Sequence, residues 1–411
     1  MASTTTSSTT HTKQTPAQDR PPVGALITLF LAPVFVFANM YTTQAILPSL
    51  SDDFHISAPT AGLTISLLVL AVAIGSLFYG PLSDVVGRKR VMVIASFLVA
   101  VPTLLCGLAP NFTVLVVMRT LQGLLMPGLT SVAIPYVNEE FAGRGRGLAM
   151  GIYTSGLVLG GLFARVGSAA LNSVYGWHIA LLAFVIPTLL AAFGMWFFLP
   201  EKYSKRSSEH RASFSSTMAI SYVRQTIRAM GMHLHNRRLV GVFLIGFTSF
   251  FGFVGIFTYL PYYLTGPIFR LPPVALSLVY LLWLTGAGSP IAGSIAARIG
   301  FRLMLIISIA CAIVGLLITL VPVLPIMLGG LSLLTLGMFS IIPAANLALG
   351  ELSTTAKGAA ASMYLSLYYL GGSIGGVLPG VTYLWAGWAG VVALCIAMML
   401  IATVSDIVLC R

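Results

Sequence analysis

The chain has 411 residues, of which 57% are hydrophobic and only 8% are charged, and its formal net charge is +12. A soluble domain carries about 25% charged residues, so in water this chain would expose large apolar patches. The composition therefore excludes a soluble protein and predicts an all-α polytopic membrane protein. The four cysteines form no Cys-x-x-Cys pair and no cluster with histidine, so we expect no disulfide, no metal site and no cofactor.

Residues 1–22 are rich in Ser and Thr and contain no apolar run. Because a signal peptide requires such a run, we interpret this segment as a disordered cytoplasmic tail. A transit peptide is the alternative, although only Lys13 and Arg20 supply positive charge.

A helix that crosses a bilayer needs about 20 predominantly apolar residues. Runs of this kind predict twelve transmembrane helices in two six-helix bundles, at 23–199 and 239–411, joined by a cytoplasmic linker at 200–238. We number them as spans 1 to 12 in chain order: 24–48, 58–80, 90–109, 112–136, 147–171, 178–199, 239–265, 273–298, 302–322, 324–348, 357–383 and 388–409.

The basic residues predict the orientation of these spans. If the spans alternate and both termini share one side, nineteen of the 22 Lys and Arg residues lie on the side of the termini, and only Arg270 lies opposite. Cytoplasmic loops carry an excess of Lys and Arg, so both termini are predicted to be cytoplasmic. This asymmetry also accounts for the net charge, and we expect no nucleic-acid partner.

The two halves of the sequence repeat each other. Gly80 and Gly87 correspond to Gly293 and Gly300 at an offset of 213 residues, whereas Asp84 corresponds to Ala297. Six further pairs match at a constant offset of 211 residues: Glu140, Tyr153, Gly160, Gly161, Gly176 and Trp177 with Glu351, Tyr364, Gly371, Gly372, Gly387 and Trp388. A fixed offset over so many pairs indicates two pseudo-symmetric bundles.

The linker contains apolar residues at helical spacing from Ile220 to Leu234, with Arg224 and Arg228 off that stripe. This pattern is typical of an amphipathic helix that lies on the inner leaflet and contacts anionic lipid. A solvated, flexible linker is an equal alternative.

The stretch from Gly80 to Arg90 is a short polar loop between two apolar runs, in which Asp84 is followed by Gly87, Arg88 and Lys89. Glycines allow close backbone approach, and a carboxylate this near to hydrocarbon indicates a functional site. The spacing G-x-x-x-D-x-x-G-R-K resembles the loop between helices 2 and 3 of the major facilitator superfamily of secondary transporters. The resemblance covers residues 21–409 and implies the major facilitator fold, with a substrate site between the halves.

This resemblance implies that the loop is a latch of the cytoplasmic gate. Asp84 is then expected to face the start of span 11, near Lys357, where a helix N-terminus favours an anion. Glu140, Arg144 and Arg146, from the loop after span 4, extend the charge network. The alternative is that Arg88 to Arg90 only enforce topology.

Two arginines lie inside predicted spans. Arg119 begins the pattern Arg-Thr-Leu-Gln122-Gly, which resembles the superfamily motif of helix 4 that is implicated in proton coupling or anion handling. A guanidinium at this depth costs about 2.5–3.5 kcal/mol on insertion scales and needs a cavity or a partner. The alternative is a structural tie from span 4 to span 1, through Asn39 or Gln44.

Arg165 follows Gly156 and Gly160 in span 5, at a spacing typical of tight helix packing. Together with Gly147 these glycines resemble part of the helix-5 signature of drug–proton antiporters, but Gly161 and Arg165 depart from it. The spans contain almost no acidic residues, which favours a neutral or anionic substrate over a large cation.

The substrate pocket is expected to be lined by polar and aromatic side chains from spans 1, 4, 5, 7, 10 and 11. Candidates for coupling or substrate binding are Arg119, Gln122, Arg165, Asn39, Tyr41, Gln44, Ser249, Tyr259, Asn346, Tyr364 and Tyr368.

The segments 151–156 and 362–371 resemble a bacterial branch of the superfamily, the YnfM-type inner-membrane transport proteins. This resemblance implies a monomeric, proton-coupled exporter of a small organic molecule in the lipid bilayer of the bacterial cytoplasmic membrane. The alternative is a symporter or facilitator of a neutral or anionic metabolite, such as a sugar or organic acid. A membrane-embedded enzyme or sensor is a third candidate, but no catalytic cluster is visible.

Overall fold

The computed structural model describes residues 21–141, 143–201, 231, 233–353 and 357–410. The tail at 1–20 and nearly all of the predicted linker helix lie outside these ranges. Within them all regular structure is helical. The all-α prediction is therefore confirmed.

The first half contains the helices Val23–Ala32, Leu47–Phe54, Ala58–Val86, Arg88–Gly107, Phe112–Leu125, Pro127–Thr130, Ala133–Glu140, Gly143–Leu182 and Val185–Phe198. The second half contains Arg237–Thr265, Pro273–Val279, Ser289–Ile299, Phe301–Ile318, Leu324–Leu352, Lys357–Gly375 and Leu378–Leu409. A π-helical turn at Pro33–Phe37 and a 3₁₀ segment at Gln44–Ile46 interrupt span 1, and a 3₁₀ segment at Tyr280–Gly288 interrupts span 8.

Eight helices of the described chain are long and apolar enough to cross a bilayer, or nine if the bent pair Ala275–Gly286 and Ile291–Ile299 is one span. The predicted number of twelve stays a prediction. Interruptions account for part of the difference, because the apolar helices Val23–Phe37 and Val185–Phe198 are short.

Glycines with positive φ mark equivalent positions in the two halves. Gly87 has φ 106° and its counterpart Gly300 has φ 88°, while Gly176 has φ 80° and its counterpart Gly387 has φ 56°. Residues with a Cβ rarely adopt these angles. Each pair turns the chain at the same place in its half, so the structure contains the repeat that the sequence predicts.

The polar stretch after Gly80 differs from the predicted loop. The helix Ala58–Val86 continues through it, and the next helix begins at Arg88, so Gly87 alone separates spans 2 and 3. A single residue at positive φ is sufficient for this reversal. The expected close backbone approach at Gly80 is not found, because nothing would lie within 4 Å of a Cβ atom there.

Candidate functional site

Arg119 is buried in the first half and is surrounded by hydrogen-bond acceptors. Its Nη1 donates to the carbonyl of Asn39 at 2.6 Å and to Oε1 of Gln122 at 2.6 Å. Its Nη2 donates to the carbonyl of Met40 at 3.0 Å, and its Nε donates to the carbonyl of Thr64 at 3.3 Å. Every guanidinium nitrogen therefore has an acceptor, and Arg119 ties span 4 to spans 1 and 2.

A second layer of polar side chains holds these acceptors in place. Nε2 of Gln122 donates to Oδ1 of Asn39 at 3.0 Å and to the Thr103 hydroxyl at 2.8 Å. Nδ2 of Asn39 donates to the Thr188 hydroxyl of span 6 at 2.9 Å. The network joins five of the six spans of the first half. In this conformation Arg119, Gln122 and Asn39 hold several spans together. This is the structural role that we gave as the alternative to coupling or substrate binding.

Arg165 lies at the boundary between the two halves. The centroid of the Trp283 ring lies 3.6 Å from its guanidinium carbon, and that of Tyr41 lies 3.9 Å away. The Tyr280 ring is 5.7 Å from the same atom. Tyr41 belongs to span 1, whereas Trp283 and Tyr280 belong to span 8. Arg165 is fully buried, and cation–π contacts of this kind are strongest when desolvated.

Gln44 links Arg165 to the second half. Its Oε1 accepts from Nε of Arg165 at 2.8 Å, while its Nε2 donates to the Thr258 hydroxyl of span 7 at 2.9 Å. Nη1 of Arg165 donates to the carbonyl of Gly161 at 2.7 Å. A continuous series of hydrogen bonds, from Arg165 through Gln44 to Thr258, therefore connects the two halves.

Further contacts between the halves lie at the end of the bundle where residues 51–58, 265–273 and 383–388 connect successive spans, which we call the far face. The hydroxyls of Ser51 and Tyr262 lie 2.6 Å apart. The Ser66 hydroxyl donates to the carbonyl of Ser373 at 2.6 Å. These bonds join spans 1 and 2 to spans 7 and 11.

Two glycines bring spans 2 and 11 together at the far face. A Cβ atom at Gly62 would lie 2.3 Å from the carbonyl oxygen of Gly376 and 2.7 Å from the Tyr259 hydroxyl. A Cβ at Gly376 would lie 3.1 Å from backbone atoms of Ser66. Spans 2 and 11 pack too closely here for larger side chains, so the far face is closed.

Asp84, at the opposite end of span 2, pairs within the first half. Its Oδ1 lies 2.6 Å from Nη2 of Arg88, and Oε1 of Glu139 lies 2.7 Å from the same nitrogen. Nη1 of Arg88 donates to the Ser83 hydroxyl at 2.8 Å. Arg88 therefore joins span 2 to the end of span 4. Glu139, which sequence reasoning passed over in favour of Glu140, is its second acidic partner.

The other expected members of the gate are placed only in part. Nε of Arg146 donates to the carbonyl of Phe141 at 3.0 Å, rather than to an acid. The side chains of Arg144 and Lys357, and residues 354–356, lie outside the described part of the chain. The contact of Asp84 with span 11 stays a prediction.

The remaining pocket candidates are spread through the second half. Ser249 and Tyr368 line an apolar crevice with Phe250, Phe253 and Phe339.

Three further candidates differ in environment. The Tyr259 hydroxyl donates to the carbonyl of Gly376 at 2.8 Å, so this side chain packs between spans 7 and 11. Tyr364 is buried, with no hydrogen-bond partner for its hydroxyl among the described residues. Asn346 is exposed.

One buried carboxylate lies outside these groups. Asp406 of span 12 is fully buried, and neither oxygen has a hydrogen-bond partner among the described residues. The positive charge that acts on Asp406 is that of Arg302, at the start of span 9. A buried acid without hydrogen bonds is a candidate proton carrier.

Sequence reasoning missed the contributions of Trp283, Tyr280 and Asp406 to these groups. A signal for Trp283 exists, since tryptophan prefers the membrane interfaces and this one lies in the interior of an apolar run.

Comparison with known proteins adds a family and a fold. The family model described as Major Facilitator Superfamily matches residues 29–287. The inner membrane transport protein YnfM of Escherichia coli (strain K12) is 34% identical over 377 residues, which cover 92% of this chain and 88% of that protein.

Two solved structures share the fold. A bacterial homologue of the human lysosomal transporter Spinster, in an inward-facing and unoccupied conformation, superposes with a TM-score of 0.74 at 15% identity and covers 93% of this chain and 95% of its own. A D-xylose–proton symporter superposes with a TM-score of 0.71 at 15% identity and covers 92% of this chain and 96% of its own.

Proposed function

Because the chain belongs to the major facilitator superfamily, it is a secondary transporter, and we propose that it exports a small organic molecule in exchange for protons by alternating access. The observation that carries the proposal is the closed far face, where Ser51, Gly62 and Ser66 of one half meet Tyr262, Gly376 and Ser373 of the other. Alternating access needs such a contact surface, which forms in one state and separates in the other.

We propose that the protein is a monomer in the bacterial cytoplasmic membrane, with both termini cytoplasmic. The distribution of Lys and Arg supports this orientation. The far face is then the outer face, and the conformation faces inward, as that of the Spinster homologue does. Asp84, Arg88 and Glu139 then lie at the open cytoplasmic side, where Asp84 is free to exchange Arg88 for partners on span 11 when that side closes.

A second candidate is a symporter or facilitator of a neutral or anionic metabolite. The observation that favours it is the pair of fully buried arginines, Arg119 and Arg165, in a described chain where Asp406 is the one fully buried acid. The D-xylose–proton symporter illustrates that this fold also supports transport of solute and proton in the same direction.

Transport in proteoliposomes separates these functions. The purified full chain is reconstituted with a pH-sensitive dye inside, and a panel of labelled compounds is tested with and without an imposed pH gradient. We expect at least one compound to move against its gradient, opposite to the proton flux. Movement in the same direction as protons identifies a symporter, and transport that ignores the pH gradient identifies a facilitator.

A further inference from the structure

The boundary between the halves contains buried donors without acceptors. Nη2 of Arg165, Nε1 of Trp283 and the hydroxyl of Tyr280 are all buried and have no hydrogen-bond partner among the described residues. Among these described residues, no carboxylate lies within 4 Å of the Arg165 guanidinium. Buried polar groups are normally paired, and an unpaired one is costly.

Arg119 provides an internal comparison. It is buried to the same degree, and each of its three guanidinium nitrogens donates at least one hydrogen bond. The bundle therefore supplies a complete set of acceptors where an arginine only ties helices together. Arg165 lacks such a set, which indicates that its missing acceptor comes from outside the chain.

The geometry around Arg165 restricts what that acceptor can be. Tyr41 and Trp283 both lie against the guanidinium, at centroid distances of 3.9 and 3.6 Å. The two ring centroids are 5.6 Å apart, so the rings cover adjacent sides of the guanidinium, and the donor left for an incoming group is Nη2. A carboxylate oxygen is a strong, charge-assisted acceptor for such a guanidinium N–H.

The surroundings of Trp283 suit an apolar body on the same molecule. The Phe253 and Phe339 rings lie 4.9 and 5.5 Å from the Trp283 ring. Both phenylalanines line the crevice that also contains Ser249 and Tyr368. These rings are the apolar side chains beside Trp283 against which an apolar part of a molecule bound at Arg165 would pack.

We propose that Arg165, Trp283 and Tyr280 form the anion-binding end of the substrate site, and that the transported compound is a small organic carboxylate with an apolar body. This inference rests on the proposed transport function and names its substrate class. Since Arg165 belongs to the first half and the other two to the second, such an anion would contact both halves at once. Its binding would then depend on how the halves are arranged.

Binding to the purified full chain in detergent, without any gradient, tests the inference. The probes are hexanoate, benzoate and 1-naphthoate, each compared by calorimetry with its neutral amide. We expect saturable binding of at least one acid and none of the matching amide. Arg165→Met should weaken that binding by about 30-fold or more, because it removes one partner of a buried charge pair.

Two further variants guard against misfolding. Trp283→Phe keeps an aromatic ring but removes the indole donor, and should weaken binding of the acid while the protein remains monodisperse. Arg90→Met removes an exposed arginine and should bind as the wild type does.

Equal binding of acid and amide, no saturable binding of any acid, or wild-type affinity in Arg165→Met would overturn the proposal. The outcome is independent of the transport assay. If the protein pumps uncharged compounds and Arg165→Met leaves that activity intact, the carboxylate assignment is wrong but the proposed transport function stands. If the protein binds carboxylates but shows no proton-linked transport, the substrate class stands and the proposed transport function is wrong.

Discussion

The guanidinium carbon of Arg165 lies 3.6 Å from the centroid of the Trp283 ring, and this contact joins span 5 of one half to span 8 of the other. It depends on Gly161, one turn before Arg165, because a Cβ atom there would lie 2.6 Å from Cζ3 of Trp283. The absence of a side chain at Gly161 therefore permits the contact.

Gly161→Ala should displace Trp283 from Arg165 without removing any polar group. Overpacking of this kind costs about 1–3 kcal/mol, so we expect the Michaelis constant for transport to rise roughly tenfold. Initial rates in proteoliposomes provide the measurement. Gly147→Ala, in the same span, has nothing within 4 Å of the added Cβ and is the matched control. Equal effects of the two variants would show that the Arg165–Trp283 contact does not matter for transport.

Arg119→Lys should destabilise the first half. A lysine cannot reproduce the guanidinium fork, so acceptors such as the carbonyls of Met40 and Thr64 would lose their donor, at about 1–3 kcal/mol for each buried group left unpaired. A lower melting temperature in detergent is the expected result. The exposed Arg90→Lys should change stability by less than about 0.5 kcal/mol. Normal stability combined with altered pH dependence of transport would instead support a role of Arg119 in coupling.

Gly62→Ala should open the far face. The added Cβ would lie 2.3 Å from the carbonyl oxygen of Gly376, so spans 2 and 11 must separate. We expect Ser51→Cys to react faster with a membrane-impermeant thiol reagent in this background. Gly80→Ala lies in the same helix with free space around it and should leave the labelling rate unchanged. Unchanged labelling in Gly62→Ala would contradict the close packing that we describe.

Asp84→Asn should lower turnover while leaving membrane insertion intact. Asp84 is about half exposed, at 45% of its side chain, and exposed ion pairs contribute about 0–1 kcal/mol. Unfolding therefore cannot explain a large loss of activity. Glu139→Gln removes the other partner of Arg88 and is the control for the local ion pair. If the two variants lose the same activity, Asp84 acts only through Arg88 and not through span 11.

Asp406→Asn should uncouple transport from the pH gradient if this buried acid carries the proton. The charge of Arg302, at the start of span 9, acts on Asp406, and the Cys410 thiol, one turn after Asp406, is in turn near the charges of Asp406, Arg302 and Arg238. Counterflow without a gradient should persist, whereas accumulation driven by the gradient should be lost. Glu351→Gln changes an exposed acid of the same half and should retain both activities. Full gradient-driven accumulation in Asp406→Asn would assign the proton to another group.

Hydropathy, charge and glycine spacing determined the class of protein, the helical fold and the repeat. Each of these follows from a local requirement: a span must be apolar over about 20 residues, and a turn at positive φ needs a residue without a Cβ, as at Gly87 and Gly300. Hydropathy alone does not determine the number of spans, because breaks such as Pro33–Phe37 divide runs that look continuous in sequence.

Only the tertiary structure distinguished Arg119 from Arg165. In sequence each is an arginine inside an apolar run, but the number of acceptors around each depends on helices far away in the chain. Arg119 meets the bent backbone of span 1, which offers free carbonyls, whereas Nη2 of Arg165 has no acceptor among the described residues. Because the packing of helices far apart in the chain decides which guanidinium nitrogen remains without an acceptor, the sequence by itself did not reveal that Arg165 has the free donor.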